Sequence, residues 1–396
     1  MSQPNRLLWS PSAAQRADST LQTFLDRLAA RGRSFADYDE LYRWSIDDLA
    51  GFWAEVWDYF AIAGGRYQSV LDSRSMPGVR WFNGAQINYS AQVFRDRDPA
   101  ATAVILADEQ QPVREISWAE LQQQTAGLMQ TLRAAGVRRG DRVVGYLPNG
   151  LPAIVALLAT AGLGAIWSAC SPDFGSLSVI DRFSQIAPTV LLAVDGYRYG
   201  GKAFDRRPEV AAIRAALPTL QLTIAVPTLF ADALPAGGPG RVIDWQTATA
   251  PRAALEFTPV EFNHPLWVLY SSGTTGLPKP IVHSQGGIML EHMKSLHLHF
   301  NIRAGDRFFW YTTTGWMMWN FLVGALLIGA VPICYDGSPV FPDHNVLWRL
   351  AEQTRMRFFG TSAGFITALM KTEAAPGRDC DLSALQGIGS TGSPLP

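Results

Sequence analysis

Short apolar runs separated by longer amphipathic stretches repeat along most of this chain. Residues 102–106 read as a first strand. Ser117-Trp118-Ala119-Glu120 has the form of a capping box, opening a helix that ends at Gly136. Residues 142–147 read as a strand, 180–186 as a helix and 189–194 as a strand. Further strands are expected at 220–226, 266–270, 307–311, 331–335, 357–359 and 385–388. This alternation predicts an α/β fold with mostly parallel sheets flanked by helices. Ligands are then expected near the carboxyl ends of strands. Residues 1 to about 95 differ. They read as a helical lead-in rich in Trp, Tyr and Phe, and 40–63 carries an amphipathic pattern through Leu41, Trp44, Ile46, Leu49, Phe52, Val56, Trp57 and Phe60. Two parts are therefore expected, a helical cap over 1–95 and an α/β body over 96–396. Residues 234–240 (LPAGGPG) read as a flexible surface loop.

One apolar stretch tests the reading. Residues 151–171 carry no charge and reach the length of a bilayer-spanning helix. Gly162 and Gly164 split them, and Trp167-Ser168 begins a polar exit. A buried helix over 152–161 followed by a buried strand over 165–169 accounts for the pattern without a membrane. The first twenty residues are polar and lack the apolar core of a secretory signal.

Of 396 residues, 48% are hydrophobic and 17% charged, which suits a globular protein with a large core. A net charge of −1 leaves no electrostatic footprint for nucleic acid. Cys170, Cys334 and Cys380 are far apart and form no C-x-x-C pair. They read as small buried hydrophobes and suit a reducing cytoplasm, not a disulfide framework or zinc site.

The densest chemistry lies at 270–280, Tyr-Ser-Ser-Gly-Thr-Thr-Gly-Leu-Pro-Lys-Pro, after the strand at 266–270. Gly273 and Gly276 let the backbone approach a ligand closely. Successive N–H groups can form an anion-binding nest. Ser271, Ser272, Thr274 and Thr275 add hydroxyl donors, and Lys279 adds a compact positive charge. This is the composition of a loop that wraps a polyphosphate. It is not a Walker A motif, because its glycines are three apart and its lysine is flanked by prolines.

The loop resembles the signature loop of the adenylate-forming ligases, the acyl-CoA synthetase superfamily. The resemblance implies that it grips the β- and γ-phosphates of ATP, with Thr275 and Lys279 assisting catalysis. A carboxylate attacks the α-phosphate, and a thiol, usually coenzyme A, intercepts the acyl-adenylate. The lead-in and the segment from Trp81-Phe82 to Asn88-Tyr89 are similar to the acetyl-CoA synthetase branch. The run from Ala165 to Gly175, Asp181-Arg182-Phe183 and Gly315-Trp316-Met317-Met318-Trp319-Asn320 are similar to acetoacetate–CoA ligases. The implied reaction joins acetoacetate to CoA with ATP and Mg2+, releasing AMP and diphosphate. Its partners are small molecules, with no nucleic acid and no membrane.

The resemblance also assigns other positions. Trp316, Met317, Met318 and Trp319 would line the acyl pocket; read alone, they are an ordinary core helix start. Ser390 to Pro394 would be a Gly-rich turn, with Gly392, Ser393 and Pro394 against the adenine. Arg198 and Lys202, flanking Tyr199-Gly200-Gly201, are similar to a segment that binds CoA phosphates; a solvated basic turn is the alternative. Among rival motifs, Gly360-Thr361-Ser362-Ala363-Gly364 matches the nucleophile elbow of serine hydrolases. The acid could be Asp379 or Asp381, but no histidine follows Ser362, since the last is His344. Glu291, His292, His297 and His299 lack the spacing of a helical metal site, so no metal ligands are assigned. His283, just after the loop, could border the site. Asn88-Tyr89-Ser90 matches a glycosylation sequon, moot in a cytoplasmic protein.

In the family the pattern continues beyond the position of Pro396, with an aromatic-x-x-Thr-Glu motif, a ribose-binding Asp and a C-terminal lid carrying a lysine. The chain is therefore expected to be a fragment or truncated form. It would keep the phosphate loop and turn over poorly, since a lid supplies water exclusion and orientation. A cut sheet would leave apolar edges exposed. A non-catalytic nucleotide-binding remnant is the second expectation, and a hydrolase using Ser362 the third.

Overall fold

The computed structural model describes residues 9–230, 234, 237–271 and 276–395. Two large sheets dominate it. The seven-stranded sheet runs in the order Arg241–Asp244, Leu222–Val226, Val190–Val194, Arg142–Tyr146, Ile166–Cys170, Pro265–Ser271, Lys279–Ser284. All neighbours are parallel except the last pair. The six-stranded sheet runs Gly387–Thr391, Phe358–Ser362, Arg307–Trp310, Val331–Asp336, Thr102–Asp108, Arg114–Ser117. Again only the last pair is antiparallel. The α/β expectation is met. Val190–Val194 and Leu222–Val226 are buried at every position, as parallel strands covered on both faces must be.

Three strands of these two sheets escape the sequence pattern: Arg114–Ser117, Arg241–Asp244 and Lys279–Ser284. All lie at sheet edges. An edge strand buries little, so it carries no apolar run to announce it. Pro280 is tolerated in Lys279–Ser284 for the same reason, since only one side needs hydrogen bonds.

The charge-free stretch folds as expected. Leu151–Gly162 is a helix with nearly every residue buried, Gly164 turns the chain at φ +68°, and Ile166–Cys170 is a central strand. No helix among the described residues is long and apolar enough to cross a membrane.

The lead-in corrects the sequence reading in part. The amphipathic pattern over 40–63 resolves into two helices, Tyr38–Asp47 and Leu49–Tyr59, broken at Asp48. Asp48 accepts the Gly51 N–H at 2.9 Å and the Trp44 indole N–H at 3.2 Å, so it caps the second helix while anchoring the first. Residues 61–88 are not helical. They hold a small antiparallel ladder, Ser69–Leu71 with Trp81–Asn83. The cap docks through aromatic rings. Trp57 stacks on Phe82 at 4.6 Å, and Phe82 packs on Phe262 of the body at 4.8 Å.

The capping box is half made. Ser117 accepts the Glu120 N–H, but the Glu120 carboxylate turns outward to Arg114 and Gln124. The turn expected at Ser390-Thr391 is also later than read. Both residues belong to the strand Gly387–Thr391, and the chain turns at Gly392 with φ +92°. In the glycine-rich stretch 234–240, residues 235 and 236 lie outside the described residues.

Candidate functional site

The carboxyl ends of the two sheets meet. The Thr314 hydroxyl, after the strand Arg307–Trp310, donates to Leu147 O at 2.5 Å, after Arg142–Tyr146. Buried Asn149 clasps the same seam. Its Oδ1 accepts the Trp319 indole N–H at 3.0 Å, and its Nδ2 lies 3.5 Å from Tyr335 O. Gly315 fits because a Cβ there would meet the Phe174 ring at 3.0 Å.

A cavity of about 380 Å³ opens at this seam, lined by Asn149, Ser171, Asp173, Tyr197, Tyr199, Tyr311, Thr312, Thr313, Tyr335 and Asp336, among others. Each follows or ends a strand, so the sheet ends supply the walls. The lining contains no Lys, Arg or His. Two tyrosine hydroxyls are committed: Tyr311 donates to Gly337 O at 2.9 Å and Tyr335 to Ser338 O at 3.1 Å. Burial raises both phenols above their ordinary range, so they stay neutral. Burial, with neighbouring Asp108, Glu109 and Asp173, pushes the Asp336 carboxyl up to about 7. A smaller cavity of about 210 Å³ shares Tyr197 and Asp336 with the first and has Arg198 in its lining.

The polyphosphate-type loop connects an edge hairpin. Pro265–Ser271 pairs antiparallel with Lys279–Ser284, Ser271 facing Lys279 and Tyr270 facing Pro280. Ser272, Gly273, Thr274 and Thr275 lie outside the described residues. Gly276 has φ +104° with open space where a Cβ would stand. Lys279 is exposed at the start of its strand. The loop's two arms are tied to the helix Ser176–Phe183 and the turn after it. The Tyr270 hydroxyl donates to Arg182 O at 2.6 Å, and Gln185 Nε2 donates to Pro278 O at 3.0 Å. The Arg182 guanidinium lies over the Phe174 and Tyr270 rings.

The four acyl-pocket candidates do not form one wall. Trp316 and Met317 are 40% and 49% exposed, whereas Met318 and Trp319 are buried. They span the start of the helix Met317–Val323, whose 3.6-residue period turns successive side chains to different faces. None lines the 380 Å³ cavity, although Thr312 and Thr313, just before them, do. Gly392, Ser393 and Pro394 are exposed beyond the strand Gly387–Thr391.

Arg198 and Lys202 sit on a hairpin, Gly196–Tyr199 with Lys202–Asp205, turned by Gly200 (φ +59°) and Gly201 (φ +75°). The turn's N–H groups are already engaged. Glu109 Oε1 accepts from Gly200 and Ser338 at 2.7 Å each, and Oε2 from Gly201 at 2.8 Å. One carboxylate thus ties the hairpin to the exit of the strand Val331–Asp336.

The rival motifs find other employment. Ser362 has extended backbone (φ −100°, ψ 152°), and its hydroxyl caps the helix Ala363–Leu369 by accepting the Phe365 N–H at 3.1 Å. The residue is a helix cap and not a strained elbow. His283 Nδ1 pairs with the Trp267 indole N–H at 3.0 Å. His292 is buried, and desolvation lowers it to about 3. No metal-holding group of three or more His, Cys, Asp or Glu occurs among the described residues. Asn88 is buried and fully bonded.

Sequence reasoning passed over Glu109, Asn149, Tyr311 and Asp336. A usable signal existed for two of them: Asn149-Gly150 and Asp336-Gly337 each put a polar residue and a glycine just past an apolar strand.

Comparison with known proteins agrees with this architecture. The model of the family described as AMP-binding enzyme matches residues 91–396. That of the acetyl-coenzyme A synthetase N-terminus matches residues 38–93. The acetoacetyl-coenzyme A synthetase of Rhizobium meliloti is 41% identical over 99% of this chain and 61% of its own length. The acetoacetyl-CoA synthetase of Gallus gallus is 39% identical over 99% of this chain and 60% of its own. The solved acetoacetyl-CoA synthetase from Streptomyces lividans superposes with a TM-score of 0.95 at 50% identity, covering 99% of this chain and 60% of that one. The chain therefore spans about three-fifths of the length of these relatives. With the family match covering most of its residues, the chain belongs to the AMP-binding enzymes.

Proposed function

We propose that this chain supplies the adenylating body of an acid–thiol ligase that converts acetoacetate, ATP and coenzyme A to acetoacetyl-CoA, AMP and diphosphate. One observation carries the reading. A Gly/Ser/Thr loop ending in Lys279 leaves a strand whose neighbour, Ile166–Cys170, leads directly into the cavity wall at Ser171. The similarity to acetoacetyl-CoA synthetases supports acetoacetate as the acid.

In this reading Ser271 to Gly276 and Lys279 hold the β- and γ-phosphates, and Thr275 and Lys279 steady charge as diphosphate departs. Mg2+ enters with ATP, bound through phosphate oxygens. Gly392, Ser393 and Pro394 flank the adenine. Trp316 to Trp319 shape the acyl side, with exposed Trp316 and Met317 as the contact residues and buried Met318 and Trp319 as their support. Arg198, in the lining of the smaller cavity, and Lys202 receive the CoA phosphates. The division into a cap over 1–95 and an adenylating body over 96–396 is part of the same proposal, as is a cytoplasmic setting.

The test is acetoacetate-dependent exchange of labelled diphosphate into ATP, with the protein as its gene encodes it. Lys279→Ala is expected to lower exchange ~10²-fold or more, the scale for removing one preorganised charge-stabilising donor. Exchange unchanged by Lys279→Ala would remove the loop from the mechanism.

A further inference from the structure

We propose that Asp336 takes the thiol proton when coenzyme A, reaching in through the cavity between the two sheets, attacks the acyl-adenylate. This rests on the acid–thiol ligase reading above. Asp336 ends the strand Val331–Asp336 and lines both cavities, the smaller one together with Arg198 and the larger one together with Thr312 and Thr313.

The other acidic groups nearby are committed or in water. Glu109 is held by three backbone N–H groups. Asp108 Oδ1 accepts the N–H groups of Gln110 and Gln111 at 2.7 Å each. Asp173 is exposed. Among the described residues, no hydrogen bond or ion pair engages the Asp336 carboxyl. The tyrosines cannot substitute: Tyr311 and Tyr335 spend their protons on carbonyls and titrate far too high. Among the described residues, no cation lines the larger cavity to hold Asp336 permanently ionised.

The groups facing it are Asp108 and Glu109 from the neighbouring strand end, Asp173 from the opposite sheet, Tyr199, Tyr311 and Tyr335, and Arg198 in the smaller cavity. This setting places its titration at about 7, where a base is part-ionised yet strong enough to draw a proton from a thiol of pKa ~8.5. The step balances. The sulfur–carbon bond forms, the acyl carbon–oxygen bond breaks with its electron pair going to the AMP phosphate, and the thiol proton goes to Asp336 and then to water.

The experiment compares wild type with Asp336→Asn and Asp336→Glu in the protein as its gene encodes it. One readout is acetoacetate-dependent diphosphate exchange, and the other is single-turnover transfer from preformed acetoacetyl-adenylate to CoA. Asp336→Asn is expected to slow transfer ~10²-fold, with the loss falling on transfer and not on exchange. The wild-type rise in transfer rate through pH about 7 should disappear in Asn and return in Glu. Transfer in Asp336→Asn within threefold of wild type, or an equal loss in both readouts, would overturn the assignment, the latter by making Asp336 structural. Absence of exchange in the wild type would remove the ligase reading itself, and this inference with it.

Discussion

Glu109 fixes the hairpin that carries Arg198 and Lys202, and the strength of that clamp can be worked from three contacts. Its carboxylate accepts N–H groups from Gly200, Gly201 and Ser338 at 2.7–2.8 Å. Hydrogen bonds to a charged group are worth ~1.5–3 kcal/mol when sheltered. Glu109 is half-buried, so water competes, and roughly 1 kcal/mol per contact is the working figure. Glu109→Ala should therefore make opening of the hairpin about 2–3 kcal/mol easier. At 1.4 kcal/mol per factor of ten, the open population rises roughly thirty- to a hundred-and-fortyfold. Limited trypsin digestion reads this directly, because Arg198 and Lys202 are the cleavage points and cleavage tracks the open population when reclosing is fast. Cleavage elsewhere in the chain serves as the internal reference. Glu109→Gln separates charge from geometry. Its carbonyl can replace Oε1 for Gly200 and Ser338, while its amide opposes the Gly201 N–H, so about a five- to tenfold rise is expected. Cleavage after Arg198 and Lys202 at the wild-type rate in Glu109→Ala would refute the reasoning, and the hairpin would then be held by its own ladder alone.

Two further outcomes concern the frame beneath the site. Asn88 donates to Ala161 O, Gly162 O and Thr258 O at 2.9–3.2 Å and accepts from Ser90 and Ala91 N–H, so Asn88→Ala should cost about 3–5 kcal/mol in urea unfolding; a loss under 1 kcal/mol would contradict this account. His292 has a folded-state pKa below its unfolded one, so the unfolded chain binds the extra proton first. The stability it contributes is present above pH ~6.5 and is lost as pH falls toward about 3, by at most about 1.4 kcal/mol per pH unit. Chemical denaturation from pH 7 to 5 should show a shallower slope in His292→Gln than in wild type, and equal slopes would assign the acid sensitivity to other groups.

The sequence determined the α/β body and the buried helix-and-strand of the charge-free stretch, and it singled out the Gly/Ser/Thr run at 270–280 as the candidate anion loop. Each is written locally. Continuous apolar runs such as Val190–Val194 mark strands covered on both faces, and Gly, Ser, Thr and Lys close together mark an anion loop without reference to the rest of the chain. Edge strands such as Lys279–Ser284 carry no such mark, because pairing on one side demands hydrogen bonds but little burial. The break at Asp48 was not read from the sequence, since the amphipathic period continues across it. Tertiary structure alone decided the cavity. Asn149, Tyr311 and Asp336 come from three strand exits across two sheets, and the meeting of those exits brings them together. It also decided what each polar group is free to do. The Gly200-Gly201 turn looks like an open anion nest until Glu109 fills it, Ser362 looks like a nucleophile until it caps a helix, and Asp336 looks like any strand-end carboxylate until burial and three neighbouring acids raise it toward neutrality. Chemical identity is a property of the residue. Proton affinity and availability are properties of what surrounds it, and those surroundings are assembled from distant parts of the chain.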